Sequence, residues 1–324
     1  MPMTLRRHIA PGLTAAVLAT ILATGCAGIA TLTEPSRLAL TEHPLVNAIA
    51  RSDGKRADEA AVLAAMRRAD VIILGETHDN PEHHAIQARL LTELTKSGRR
   101  PAVVFEQIDR TRQDDLDRAQ RLPAGSARIE AIGATFAKGW DWPAYRPLVE
   151  IAVDAQLPIR GGNVDRSALR PLVKEGWETI AEGIRNHLAI DAAWNPERDA
   201  YLTKVIDETH CNAIDNALRD GLVRAQRLRD ATIADAVLSA RGYESRPVVL
   251  ITGRGHARSD AGVPRYVAAR EPALRVVSIG ISEVEAGAAT FAPYLKDRAD
   301  GVPHDFLWLT ARFDRPDPCA AFGR

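Results

Sequence analysis

The chain has 324 residues, and its 42 lysines and arginines balance 42 aspartates and glutamates. A net charge of zero with no long basic run leaves no electrostatic footprint for nucleic acid, so that class of partner is excluded. Hydrophobic residues at 46% are ample for one large domain, or for a core with a substantial insertion.

The first residues read as a targeting segment. Arg6 and Arg7 form a positive region and residues 13–23 an apolar run, and Leu22-Ala23-Thr24-Gly25-Cys26 closes with small residues before a cysteine. This is the pattern of a bacterial secretory signal over residues 1–25. The position of Cys26 resembles a lipobox, which makes Cys26 the expected diacylated first residue of a membrane-anchored protein; the apolar run is too short for a spanning helix. Ala27 stands where an aspartate would signal inner-membrane retention, which points to the outer membrane, facing the periplasm. Residues 26–54 are read as a tether and N-terminal arm.

Residues 55–164 are read as the first part of an α/β core. A helix is predicted over 55–68, where Val62, Leu63 and Met66 recur at helical spacing. Residues 71–74 form an apolar run suited to a strand buried on both faces, and Gly75 ends it. Asn80 is the expected N-cap and Pro81 the first residue of a helix whose apolar stripe is Ile86, Leu90, Leu91 and Leu94. Glu76, Thr77, His78 and Asp79 then occupy the loop at the carboxyl end of the strand, the rim where open α/β sheets bind ligands. A second strand over 102–105 leads into Glu106, a charged helix follows over 110–121, and Trp140-Asp141-Trp142-Pro143-Ala144-Tyr145 precedes an amphipathic helix to Ala155. A strand over 157–159 is expected to turn at Gly161-Gly162-Asn163. Residues 165–241 show helical signals over 168–186, 197–218 and 221–241 without a clear strand, so they are read as a helical insertion, a lid beside the rim. The core resumes over 242–324 with strands at 248–252 and 274–279 and an edge strand at 305–310. The fold class is therefore α/β, a mostly parallel central sheet flanked by helices, with a helical insertion or lid.

The strand over 248–252 ends in Gly253-Arg254-Gly255-His256, so the chain carries two strand-Gly-x-x-His units. With those strands parallel and close, His78 and His256 meet on one rim beside Glu76, a cluster able to bind a metal or to shuttle protons. Glu76 is open to several roles: metal ligand, general base, carboxylate orienting an imidazole, or partner of Arg254 or Arg229 in a buried ion pair. Glu106 carries the same ambiguity. His83 and His84 sit in the first turn of a helix, where a cation is disfavoured and a neutral imidazole suits. Gln226 and Asp230 share a helix face at i,i+4. Cys211 and Cys319 are either a disulfide of an oxidising compartment or two separate thiols.

Gly75-Glu76-Thr77-His78-Asp79-Asn80-Pro81 with His83-His84 behind it, together with the late Gly253-x-Gly255-His256, resembles the ChaN-type lipoproteins, the haem-binding uptake branch of the Tiki superfamily. The resemblance extends to His210-Cys211, to Ala225-Gln226-x-x-Arg229-Asp230 and to Gly262-Val263-Pro264, and covers roughly residues 71–280. It implies non-covalently bound haem, a role in iron uptake, an outer-membrane haem receptor as partner and a homodimer, and Asn163 is similar to a family position near the pocket. The superfamily is also similar to Tiki metalloproteases and erythromycin esterases, so the competing expectation is a metal-dependent hydrolase. In that scheme Glu76, His78 and His256 hold a divalent ion and Glu106 is the base, although neither His-Glu-x-x-His nor Gly-x-Ser-x-Gly occurs. Haem needs an axial ligand, an apolar slot and cations for its propionates. The expected axial candidates are Tyr145, His187, Tyr201 and His210, the expected cations are Arg224, Arg227 and Arg229, and His83, His84, Gln226 and Asp230 are further expected haem-binding residues. No Cys-x-x-Cys-His occurs, which excludes covalent attachment. An aromatic content of 5% argues against a closed haem pocket within one chain but not against one shared across a dimer.

Overall fold

The computed structural model describes residues 38–242, 245–296, 298–299, 301–317 and 319–320; the expected signal segment and Cys26 lie outside them. In chain order the strands are β1 (Leu38–Ala39), β2 (Ile49–Arg51), β3 (Arg56–Ala57), β4 (Val71–Glu76), β5 (Ala102–Asp109), β6 (Ile159–Asn163), β7 (Val248–Gly253), β8 (Val276–Glu283), β9 (Phe306–Thr310) and β10 (Arg312–Phe313). The helices are α1 (Glu59–Arg68), α2 (Pro81–Lys96), α3 (Gln113–Gln120), α4 (Ser126–Gly133), α5 (Trp142–Asp154), α6 (Arg166–Glu175), α7 (Glu182–His187), α8 (Pro196–Thr209), α9 (Asn216–Arg241), α10 (Val263–Arg270) and α11 (Ala292–Leu295). β1 pairs with β10, and the other strands form an 8-stranded sheet in the order β3-β2-β9-β8-β4-β7-β5-β6. From β9 to β6 all neighbours are parallel, whereas β2 is antiparallel to both β9 and β3. The chain is thus an α/β protein with a mostly parallel sheet.

β4 reads as a continuous apolar run because both faces of the sheet are covered. The pleat sends Ile72 and Leu74 to one side, where with Val103, Phe105 and Ile251 they meet Met66 of α1, Leu90 of α2 and Leu148 of α5. It sends Val71 and Ile73 to the other, where with Val104 and Leu250 they meet Leu172 of α6, Ile233 of α9 and Tyr266 of α10. Parallel register aligns Glu76 with Gly253, so β4 and β7 finish level, and neighbouring β5 delivers Glu106 to the same rim. Gly75 is fixed by close approach, since a Cβ there would lie 2.5 Å from Ala257 Cβ and 2.9 Å from Arg254 Cα.

Several expectations are corrected by packing that periodicity does not report. The insertion over 165–241 is no lid: α6 and α9 form much of the second helical layer against the sheet. The helix predicted over 168–186 breaks at Gly176, whose φ of +99° suits glycine, and that predicted over 197–218 breaks at Cys211 and Asn212, at φ +58° and +52°. Gly161 and Gly162 lie within β6 and make no turn; at Gly161 an added Cβ would come 2.9 Å from Asp109 O, across from β5. β9 is interior, flanked by β8 and β2, and β2 itself falls in the stretch read as an arm. α1 begins only at Glu59, because the Asp58 side chain accepts from Ala61 N–H at 2.8 Å and caps it there.

Cys211 and Cys319 are joined, with Cα atoms 5.6 Å apart across 108 residues of sequence. The bond ties the C-terminal tail to the junction of α8 and α9. Replacing both cysteines by serine is expected to lower unfolding free energy by about 4–5 kcal/mol on loop-entropy grounds, measured by urea denaturation of the oxidised parent and the variant.

Candidate functional site

Two carboxylate–histidine clusters stand on the carboxyl rim and touch at Gly253. The first centres on Glu76, buried at the end of β4. Its Oε1 accepts from His78 Nδ1 at 2.9 Å, Tyr145 Oη at 2.6 Å and Gln107 Nε2 at 3.2 Å. His84 Nδ1 lies 3.1 Å from Oε2, while its Nε2–H donates to the His78 carbonyl at 2.9 Å. Burial pushes the Glu76 carboxyl up, but the bonding to His78 and the nearness of His84 outweigh it and hold its pKa below the ordinary value. Burial likewise opposes charge on His78 and His84, yet Glu76 leaves both imidazoles with raised pKa values.

In the second cluster His256 lies between two buried carboxylates. Its Nδ1 donates to Asp230 Oδ1 at 2.6 Å, and its Nε2 is 3.3 Å from Glu106 Oε1. Glu106 Oε2 accepts from Thr252 Oγ1 and Gly253 N–H, each at 2.7 Å. Gln226 Nε2 stands 3.1 Å from His256 Nδ1, so Gln226 and Asp230 reach the same ring from one face of α9. Burial works against the imidazolium, but the charges of Glu106 and Asp230 push its pKa up to about 10. Burial pushes the Asp230 carboxyl up, whereas Glu106 is held well below the usual carboxylate range because His256 and the bonds it accepts outweigh its burial. The clusters meet because Gly253 has no side chain: a Cβ there would lie 2.8 Å from His78 Nε2 and 3.7 Å from Glu106 Oε2.

Beside the first cluster lies a cleft of about 1060 Å³ between α2 and α5, walled by Pro81, Ala85, Ala88, Pro143, Ala144 and Phe313, with His78, His84 and Trp140 among its lining. The His78 ring meets Trp140 edge-on at 4.7 Å, and His84 meets Tyr145 in the same way at 4.7 Å. Phe136 continues the stack between Trp142 and Tyr145.

Residues 62–267 match the family described as haem-binding uptake, Tiki superfamily, ChaN. The chain belongs to this ChaN family. Its fold is shared with a solved ChaN of Campylobacter jejuni, described for cofacial heme binding, at 21% identity and a TM-score of 0.64, over 81% of this chain and 95% of that one. An erythromycin esterase mutant in its open conformation aligns at 12% identity and a TM-score of 0.47, over 82% and 98%. No curated protein matches the sequence.

Against this ChaN frame the expected site residues separate. His83 is a structural residue: its Nδ1 accepts from Thr77 N–H at 2.7 Å, its Nε2–H donates to Thr310 Oγ1 at 2.8 Å, and burial pushes its pKa down to about 3. Tyr145 is a buried donor to Glu76, its phenol kept protonated by burial and by that carboxylate. Tyr201 lies under the Arg258 guanidinium at 4.2 Å, and His210 Nδ1–H donates to Ile206 O at 2.8 Å beside the disulfide, so neither belongs to the rim clusters. His187 faces Asp235 at 3.0 Å. Of the expected propionate partners, Arg224 donates to the carbonyls of Leu172 and Val173, and Arg227 is stacked on Trp177 and Trp194. Asn163 Oδ1 accepts from Val164 N–H at the end of β6, and Arg254 gives its N–H to the Glu76 carbonyl. Among the described residues no three His, Cys, Asp or Glu side chains are arranged to hold a metal ion, which corrects the expected triad of Glu76, His78 and His256. The physical reason is that Glu76 Oε1 is taken up by His78, Tyr145 and Gln107, while His256 has a carboxylate at each ring nitrogen, Asp230 at Nδ1 and Glu106 at Nε2. Gln107 and Phe313 were missed by sequence reasoning; Gln107 follows Glu106 directly, whereas nothing local marks Phe313.

The paired His256 dictates a pH dependence. Its folded pKa, about 10, lies above the ordinary 6.5, so its stabilisation is fully present below pH 6.5 and lost as pH rises through about 10. Urea midpoints measured across that interval are expected to fall in the parent and to fall less in Asp230→Asn. A second outcome concerns the first cluster: in Glu76→Gln the His78 imidazole should titrate lower than in the parent, as read by NMR.

Proposed function

We propose that the chain binds haem in the cleft between α2 and α5, with His78 Nε2 as the iron ligand. One observation carries this reading. Of the two imidazoles lining the cleft, His84 is buried, its side chain 8% exposed and its Nε2–H given to the His78 carbonyl, whereas His78 commits only Nδ1 and leaves its side chain 43% exposed.

The donor set fits the ligand. Glu76 accepts the hydrogen bond from Nδ1–H, which fixes the tautomer and leaves Nε2 as the ring's donor atom, the arrangement that orients metal-binding imidazoles. The aliphatic and aromatic walls suit a macrocycle, and the cleft is at the upper end of ordinary ligand cavities, about 300–1,000 Å³. Among the described residues no lysine or arginine lines it, so the propionates belong at its open side, towards solvent. Bound haem would supply an iron centre, and His78 would hold it. An open cleft also suits a haem stacked on that of a second copy of the chain; the Campylobacter relative is described for cofacial heme binding. The disulfide supports residence in an oxidising compartment, and the lipobox pattern at Cys26 supports a lipid anchor on the outer membrane, where such a protein would exchange haem with a receptor during iron uptake.

The test is a haem titration of protein lacking residues 1–26, followed by absorbance. A saturable Soret shift at stoichiometric haem is expected, lost in His78→Ala and unchanged in a His83 variant that folds. Glu76→Gln should weaken binding about 10- to 100-fold, the usual cost of removing a group that orients a ligand. An unaltered titration in His78→Ala would overturn the assignment.

A further inference from the structure

The groove between α6 and α9 carries a charge pattern that the rim chemistry does not use. Arg166, Arg170 and Lys174 recur every fourth residue along one face of α6, and Arg229 faces them from α9. Like charges at this spacing oppose one another, so the stripe costs helix stability. It is not a by-product of a basic chain, because the net charge is zero. Among the described residues none of the four side chains has an ion pair or a hydrogen bond, while many other arginines of the molecule do. Asp109 acts on both Arg166 and Arg229 without a hydrogen bond or ion pair to either, burial raising its pKa, and the Glu106 carboxylate weighs more than Asp109 on Arg229. Arg229 is itself disfavoured as a cation, first by burial and then by Arg166.

Beneath the cations the groove is aliphatic. Leu169, Val173 and Leu222 line a volume of about 350 Å³. The helices touch at one end, where a Cβ on Gly221 would lie 2.5 Å from Val173 O. Leu218, 41% exposed, sits one turn before Leu222 on α9 and prolongs the apolar line beyond α6. Cations along an aliphatic floor match a ligand with a negative head and a hydrocarbon tail; an acidic peptide would want main-chain partners, which aliphatic side chains cannot provide.

We propose that this groove binds an anionic amphiphile, a phosphate-type head group on an aliphatic chain, at a site separate from the haem cleft. Arg166, Arg170, Lys174 and Arg229 hold the head, and Leu169, Val173 and Leu222 receive the first carbons of the tail. The probe is monomeric dodecyl phosphate, titrated calorimetrically into the full-length chain alongside inorganic phosphate and a neutral dodecyl ether. Saturable one-to-one binding of dodecyl phosphate is expected, weakening with salt and reduced at least about tenfold by Arg170→Glu with Lys174→Glu, two exposed positions. Leu222→Asn should weaken the amphiphile and leave inorganic phosphate unaffected, while His78→Ala should change neither. Equal affinity for inorganic phosphate or for the neutral ether would overturn the proposal, as would an undiminished response in the charge-reversed variant with an unaltered circular dichroism spectrum. Displacement of the probe by anionic vesicles would place the natural source in a membrane, and displacement only by soluble lysolipid would place it in free amphiphile.

Discussion

A carboxylate buried at the end of the central strand governs the rim. Removing Glu76 from water is costly unless its oxygens are paired, and Oε1 alone receives bonds from the β4 loop, from β5 and from α5. The same contacts therefore do two things. They neutralise a group that would otherwise destabilise the sheet, and they pin α5, one wall of the cleft, to the strand that presents His78. A change at Glu76 is felt as a change in the cleft because the two share atoms.

The second cluster does the same for the opposite layer. Asp230 belongs to α9, His256 to the loop after β7 and Glu106 to β5, so one imidazolium joins a helix to two neighbouring strand ends. Between the clusters Gly253 admits the His78 ring to within van der Waals reach of the strand. Helical layers on both faces of the sheet are thus anchored to one point, and the exposed edge of His78 is held by a rigid surround rather than by a mobile loop.

The scarcity of aromatic residues acquires a different meaning once their positions are known. Phe105, Phe136, Trp140, Trp142 and Tyr145 form one connected stack ending at His78 and His84. A low average content is compatible with a ring-lined cleft when the rings are concentrated. The aliphatic groove between α6 and α9 is built oppositely, with charge along its edges and no ring in its floor. Two surfaces of one fold are thereby suited to different ligand chemistries.

Much was legible in the sequence wherever a signal is local. The β4 run, the Asn80–Pro81 helix start and the placing of Glu76 and His78 just beyond Gly75 follow from periodicity and capping, which act over a few residues, and the motif pair carried the family. The meeting of His78 with His256 followed only conditionally, because parallel pairing of β4 with β7 is a contact across 170-odd residues of chain. Helical spacing sets His83 on the face of Ile86 and Leu90 and His84 one position away, but tertiary structure alone decided their partners: Thr77 and Thr310 engage both nitrogens of His83, and the His78 carbonyl takes the Nε2–H of a buried His84. It also decided that α6 and α9 form a layer instead of a lid, that Phe313 reaches the cleft, and that Arg229 shares a groove with the cations of α6. The physical reason is the same in each case. Sequence spacing fixes which face of an element a residue occupies, while the partner on that face is set by folding elements that lie far apart along the chain.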